Sequence, residues 1–399
     1  MKDDSAPIRT GELIEVFGSK LVAGGDCLAR LDGFPLFVGG LYPGDRALVE
    51  VTEVRKGFGR GRVERLIVAS EWRRAAPCPI ADECGGCDWT SLRLDRQLAS
   101  KREILHDSLL RVGKLRAEDI PPIRLHPSPL NYRLRSRLQV SDSPDPELGF
   151  FAARTNRVIP LSPECEVVGP GVLENLQDLR ETLATPGTAS ITTFENGEQF
   201  AATVRDSGEP EPEGVAVSFE VRGFEYRLST DSFFQVNRHL LGTMIDLVRS
   251  HAAGVAQKRA ALDLYAGVGF FTVALAPLFE TVTGVESSPV SFRWGVENTA
   301  GFPNTRMVRR DVSKFLSARP RADFVMLDPP RAGLHADASD DLARTGAKSI
   351  CYLSCDPVTF SRDASRLGRR GWVLRSLDLL DLFPNTHHIE TLSSFERER

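Results

Sequence analysis

No apolar run in this sequence approaches the ~20 residues that a membrane-crossing helix needs. No hydrophobic leader follows the charged start MKDDSAPIR, so the expected setting is cytoplasmic, without membrane contact. Positive charge is not in excess either: 50 Lys and Arg against 54 Asp and Glu leave a net charge of −4. Nothing therefore pulls the whole chain toward nucleic acid, and any such binding must come from local basic patches. Internal repeats and low-complexity tracts are absent, and no obligate protein partner is evident. An even, framework-like set of cysteines is missing as well. Seven thiols, an odd number in a leaderless chain of 399 residues, argue against disulfides and for metal binding or catalysis.

What is present divides into three regions, consistent with a length prior of roughly 100–200 residues per domain. Residues 1–70 alternate apolar and polar positions between glycine turns (GELIEVFGSKLVAGG, FPLFVGGLYPGDRALVEVTEV), the pattern of a small closed antiparallel barrel of OB-like type. The stretch KGFGRGR, Lys56 to Arg62, sets basic residues around one aromatic and reads as a single-strand nucleic-acid surface or a solvated hairpin tip. Residues 71–223 form an expected central, mostly β domain. Within it SLRLDRQLASKREILHDSLLRVGK has the spacing of one amphipathic helix, and NYRLRSRLQVSD puts Arg133, Arg135 and Arg137 on one strand face, where they could hold phosphates. From Phe224 to residue 399, apolar strands alternate with helical segments, which implies a mostly parallel sheet covered on both faces, a Rossmann-like α/β domain. Ligands in such sheets lie at the carboxyl ends of the strands.

LDLYAGVGFF leaves a strand and enters a helix through Gly267 and Gly269, and Glu286 ends the following strand, placed to accept both ribose hydroxyls. The third glycine of the dinucleotide fingerprint is missing; Thr272 stands there. Further carboxylates at strand ends, Asp263, Asp311 and Asp328, suit a cationic adenosine-bearing ligand without phosphates, and S-adenosylmethionine fits that description. LDPPR and SCDP end the next two strands, bringing Asp328 and Cys355 near the same place. Cys351, inside the strand, reads as a core residue, whereas Cys355 lies beyond it beside a helix start, where a thiolate is favoured.

LDLYAGVGFF, LDPPR, SCDP and HHIETL, in this order and preceded by DSFFQVN (Asp231 to Asn237), resemble the RNA 5-methyluridine methyltransferase family. The resemblance covers essentially the whole chain, because the larger bacterial members begin with a TRAM barrel and carry a cysteine cluster. It implies that Gln235, Tyr265, Glu286 and Asp328, with Gly267 and Asp311, form the cofactor site, that Cys355 is the nucleophile and that Glu390 is the base. Phe270 departs from the pattern, since the family often has a polar residue there. The implied reaction is thiolate addition to carbon 6 of uridine, methyl transfer to carbon 5 and base-assisted elimination. A base in a stacked helix must be extruded first.

Cys78, Cys84 and Cys87 lie within ten residues, and Cys165 in LSPECEVVG is the remaining cysteine with a turn-like context, leaving Cys27 and Cys351 as buried or incidental. Four thiolates suit zinc or an iron–sulfur cluster equally well, although five residues between the first two cysteines do not make a zinc-ribbon pair. The resemblance to the cluster-bearing branch implies a structural [4Fe–4S] centre in the central domain. The barrel and the cysteines point to ribosomal RNA, with 23S rRNA the expected substrate and the T-loop of tRNA the alternative. A non-catalytic RNA-binding or folding protein on the same scaffold is opposed by intact Cys355 and Glu390. A cytosine carbon-5 enzyme would be expected to place its cysteine after proline, whereas Cys355 precedes Asp-Pro.

Overall fold

The computed structural model describes residues 7–143, 145–181, 188–196, 199–206, 214–230 and 232–397. Asp231 of DSFFQVN, most of the loop DSGEPEPEG and the charged termini lie outside the described residues.

Six strands near the amino terminus make one sheet: Leu13–Phe17, Lys20–Leu21, Cys27–Leu31, Phe34–Gly39, Arg46–Arg55 and Phe58–Val68. The alternation seen in the sequence is the burial pattern itself, with Ala47, Val49 and Val51 buried on one face of the long fifth strand. Two details differ from a closed antiparallel barrel. Phe34–Gly39 pairs parallel with Phe58–Val68, and among the described strands no ladder joins the two ends of the sheet. KGFGRGR also turns out to be mainly strand. Arg60 pairs with Asp26 at 2.7 Å, Arg62 with Glu50 at 2.6 Å, and Phe58 packs edge-on against Phe37. Its positive charge is thus largely neutralised by neighbouring carboxylates, which supports the hairpin reading of this stretch.

The middle region contains an antiparallel sheet ordered Val158–Pro160, Leu148–Phe151, Arg135–Val140, Thr188–Glu195, Phe200–Asp206. Arg133 precedes its strand and lies over the Phe150 ring, Arg135 donates to the Thr230 carbonyl, and Arg137 is exposed. Two of the three guanidiniums are therefore committed to contacts within the protein. The junction at 223–224 falls in the turn of a hairpin, Ala216–Val221 with Phe224–Ser229, where Arg222 and Gly223 take positive φ.

The largest sheet has eight strands in the order Thr305–Arg309, Thr281–Glu286, Ala260–Leu264, Phe324–Leu327, Ser349–Ser354, Glu390–Arg397, Trp372–Leu380, Ile123–His126. The first five run parallel, and Glu390–Arg397 is antiparallel to both neighbours. Every residue of Phe324–Leu327 and Ser349–Ser354 is buried, as a strand covered by helices on both faces requires. Ile123–His126 arrives from the middle region and pairs parallel with Trp372–Leu380, fastened by Arg124 and His126 on the buried Asp378. The amphipathic helix expected in the same region is Leu94–Arg111, and it packs on the helix Pro357–Gly368. Residues 94–126 thus belong physically to the layer of the large sheet. Strand order reverses between Ala260–Leu264 and Phe324–Leu327, which opens a crevice at their carboxyl ends.

Candidate active site and thiol cavity

The crevice is a cleft of about 1430 Å³. All eight residues expected at the cofactor and reaction sites line it: Gln235, Tyr265, Gly267, Glu286, Asp311, Asp328, Cys355 and Glu390. The glycine loop works as its sequence suggests. Gly267 and Gly269 take φ of +56° and +82°, and Tyr265, just before them, takes +65°. Glu286 is held rigidly at the end of its strand, accepting from Gly267 N at 2.9 Å, Ser287 N at 2.7 Å and Ser288 N at 2.6 Å. Asp311 caps the helix Val312–Leu316 by accepting from Lys314 N and presents its exposed edge to the cleft.

Asp263 does not face the cleft. It is fully buried, accepts from the Thr272 hydroxyl at 2.6 Å, and burial pushes its carboxyl up to about 7. The residue standing in place of the third glycine therefore serves the strand-end carboxylate from behind. Phe270 is buried in an aromatic cluster with Tyr226, Phe234 and Phe271 and also lines the cleft.

Within the cleft, acidic groups and one thiol crowd together. Burial, then Asp263, raises Asp328 to about 7, partly offset by Gln235, whose amide donates to it at 3.0 Å. Burial and then Asp328 push the Glu390 carboxyl well above its ordinary range. Burial, Glu390 and Asp328 push the Cys355 thiol up to about 12, against the opposing charge of Arg331. This corrects the expectation that a helix start favours the thiolate here. The N-terminus of Pro357–Gly368 is already capped by Asp356, which accepts from Val358 N at 3.0 Å and Thr359 N at 2.7 Å. Its free N–H groups are spent on a neighbouring carboxylate. Burial and the neighbouring carboxylates thus disfavour both the Cys355 thiolate and the charged form of Glu390.

Other cleft residues were not singled out from the sequence. Phe233, 70% exposed, stands at the mouth; Arg331 and His388 line the reaction end. All three sit inside quoted motifs, so their neighbours were the available signal. His388 is kept neutral, burial and the adjacent His387 lowering it to about 4.

Apart from this cleft, Cys78, Cys84, Cys87 and Cys165 line one small cavity whose walls include Ile80 and Phe150. All four are free thiols, and burial raises those of Cys78, Cys84 and Cys87, the last to about 12. Arg133 opposes the rise at Cys84 and Cys87. Among the described residues no group of three or more His, Cys, Asp or Glu side chains is arranged to hold a metal ion. Cys27 and Cys351 are buried elsewhere, in the barrel core and in the strand Ser349–Ser354.

Comparison with known proteins agrees with this geometry. The tRNA (Uracil-5-)-methyltransferase family matches residues 214–319 and 317–397, and the TRAM domain matches residues 10–63. The 23S rRNA (uracil(1939)-C(5))-methyltransferase RlmD of Edwardsiella ictaluri is 30% identical, over 97% of this chain and 96% of its own length. An uncharacterized RNA methyltransferase of Aquifex aeolicus is 29% identical over 94% of this chain and 97% of its own. Among solved structures, the tRNA (uracil-54, C5)-methyltransferase of Pyrococcus abyssi, in complex with S-adenosyl-L-homocysteine, superposes with a TM-score of 0.74 at 22% identity, covering 95% of this chain and 99% of that one. Sheet order, glycine loop and switch-point cleft define the class as an α/β methyltransferase fold behind an N-terminal TRAM domain. Within that class the chain belongs to the RNA (uracil-C5)-methyltransferase family.

Proposed function

We propose that this protein methylates carbon 5 of a uridine in structured RNA, with 23S rRNA as its substrate and S-adenosylmethionine as its methyl donor. The observation that carries the reading is the meeting of Cys355, Asp328 and Glu390 in a cleft that Tyr265, Gly267 and Glu286 also line. Full-length similarity to an enzyme named for 23S rRNA favours that substrate. Residues 224–399 carry the chemistry, while the barrel at 1–70 and the region 71–223 hold the flanking RNA.

Glu286 accepts the ribose hydroxyls of the donor, and Tyr265 covers its adenosine. S-adenosylmethionine supplies an electrophilic methyl group and keeps the electron pair of the broken carbon–sulfur bond. Cys355 releases its proton to solvent and adds through sulfur to carbon 6 of the extruded uracil, so that the pair of the 5,6 double bond moves onto carbon 5 and the carbonyl at carbon 4. Carbon 5 then takes the methyl group. Glu390, as carboxylate, removes the proton from carbon 5; the freed pair restores the double bond and expels the Cys355 thiolate. Gln235 and Asp328, bonded to each other, would contact the donor together, and Asp328 would also help shape the uracil pocket.

We further propose that the four thiols hold a [4Fe–4S] cluster. The donor set is wholly thiol and the cavity lining apolar, and the five residues between Cys78 and Cys84 depart from the spacing of a zinc-ribbon pair. No step of methyl transfer passes through that site.

The deciding experiment supplies labelled S-adenosylmethionine to ribosomal and transfer RNA pools lacking 5-methyluridine, with wild-type protein and Cys355→Ala, followed by nucleoside analysis. The expected result is 5-methyluridine in ribosomal RNA with wild type alone. Label confined to transfer RNA would overturn the substrate, and label with Cys355→Ala would overturn the nucleophile.

A further inference from the structure

The segment that leads into Glu390 is built onto the thiol loops. Asn385 lines the thiol cavity together with the four cysteines, and five residues later the chain reaches Glu390 in the cleft. Every polar group of Asn385 is engaged. Its carbonyl accepts from Asp88 N at 3.2 Å and Trp89 N at 3.0 Å, the residues immediately after Cys87. Its side-chain amide donates to Glu166, the residue after Cys165, at 2.9 Å. Its side-chain oxygen accepts from Arg74 at 2.9 Å and Gln97 at 3.1 Å, and its own N–H donates to Gln97 at 2.7 Å. Asn385 is fully buried with φ of +66°, a conformation in which an asparagine or glycine is tolerated and most other residues are strained.

A second tie runs alongside. Asp88 accepts from His387 N at 2.9 Å and pairs with the His387 ring. That ring lies 4.4 Å, centroid to centroid, from His388, and His388 packs on Phe383 and lines the cleft beside Glu390 and Cys355. By contrast, the carbonyl of Phe383 is held from the other side by the buried Lys101. The two loops bearing Cys87 and Cys165 therefore grip the same short segment, 385–388, that delivers Glu390 to its strand.

From these contacts we infer that Asn385 and Asp88 are positioning residues for proton abstraction: they transmit the fixed geometry of the thiol loops to Glu390. The inference rests on the assignment of Cys355 as nucleophile and Glu390 as base. Its consequence is specific to one step. Addition and methyl transfer use Cys355 and the donor end of the cleft, which Asn385 and Asp88 do not touch. Elimination needs Glu390 at the carbon 5 proton, so a displaced Glu390 leaves Cys355 covalently attached to methylated RNA.

The test incubates cluster-loaded wild type, Glu390→Gln, Asn385→Gly and Asp88→Ala with S-adenosylmethionine and a 23S ribosomal RNA transcript, with a tRNA transcript in parallel. Denaturing gels read protein–RNA adducts, nucleoside analysis reads turnover, and equilibrium dialysis reads S-adenosylmethionine binding. Asn385→Gly keeps the left-handed backbone and deletes only the side chain. Asp88→Ala changes a partly exposed site and tests the second tie independently. The expected result is adduct accumulation in Glu390→Gln and, to a lesser degree, in both positioning variants. Their kcat falls about tenfold, while KM for RNA and cofactor binding stay within about threefold of wild type. Adduct in Glu390→Gln with free turnover, or with slow turnover and no adduct, in both positioning variants overturns the positioning role and leaves the assignment of the base standing. No adduct in Glu390→Gln overturns the assignment of the base and this inference with it.

Discussion

Cys355 illustrates how far a reactive side chain is controlled by its immediate neighbours. A thiol whose proton is held to about 12 is almost wholly uncharged at neutral pH, and nucleophilic rate follows the thiolate fraction. Alkylation of Cys355 by iodoacetamide in RNA-free protein is therefore expected to be slow, and to rise about tenfold per pH unit between pH 7 and 9 because the group titrates above that range. Mass spectrometry of the Cys355 peptide measures it, and a pH-independent rate would mean that the thiolate is already formed. The residue type and its place after a strand were readable from SCDP. Its protonation state was not, because Asp328 and Glu390 come from strands 27 residues before and 35 residues after it. The same holds for Asp263 and Asp328, two carboxylates at comparable strand-end positions. One turns inward to Thr272 and the other lines the cleft, a difference of side-chain face that local periodicity alone did not settle.

At the scale of elements, the strand Ile123–His126 shows an interaction that extends the methyltransferase sheet from outside its own stretch of sequence. Asp378 has no exposed side-chain surface, and although burial opposes its charge, the bonds from Arg124 and His126 prevail and hold its carboxyl below the usual range. Stability from this group is thus present above the ordinary aspartate value and is lost as pH falls through the lowered one. Replacing Arg124 with Ala leaves the buried carboxylate with His126 alone. The expected cost is about 2–3 kcal/mol, measured by urea denaturation at pH 7.5, and it should shrink below pH 4 as the carboxylate protonates. A loss under about 0.5 kcal/mol would place the strand's attachment elsewhere. The element itself was invisible in the sequence. IRLH is a four-residue stretch between prolines, and its partner lies about 250 residues away. By contrast, the helix Leu94–Arg111 and the alternation of strand and helix after Phe224 were legible, because each buries one face at its own period.

For the whole molecule, the thiol cavity joins what the sequence keeps apart. Cys84→Ser and Cys165→Ser remove thiols from two different loops, and each is expected to abolish retained iron and acid-labile sulfide in anaerobically purified protein and to lower Tm by about 5 °C or more. Zinc retained in place of iron and sulfide would overturn the proposed cluster. Because Asn385 forms part of the cavity wall, the same variants should also lose protection from hydrogen exchange at residues 385–388.

The sequence by itself determined the order of elements, the glycine turn, the residue types at strand ends and the family, since these depend on local period and on motifs carried intact. It also contained every cysteine of the cavity and every expected residue of the cleft. Tertiary structure decided which carboxylates face the cleft, that Cys355 is protonated at rest, and that part of the middle region completes the catalytic sheet. It also joined the thiol loops to the segment that delivers Glu390. Those outcomes rest on desolvation and on contacts between residues tens to hundreds of positions apart, and neither quantity exists until the chain is folded.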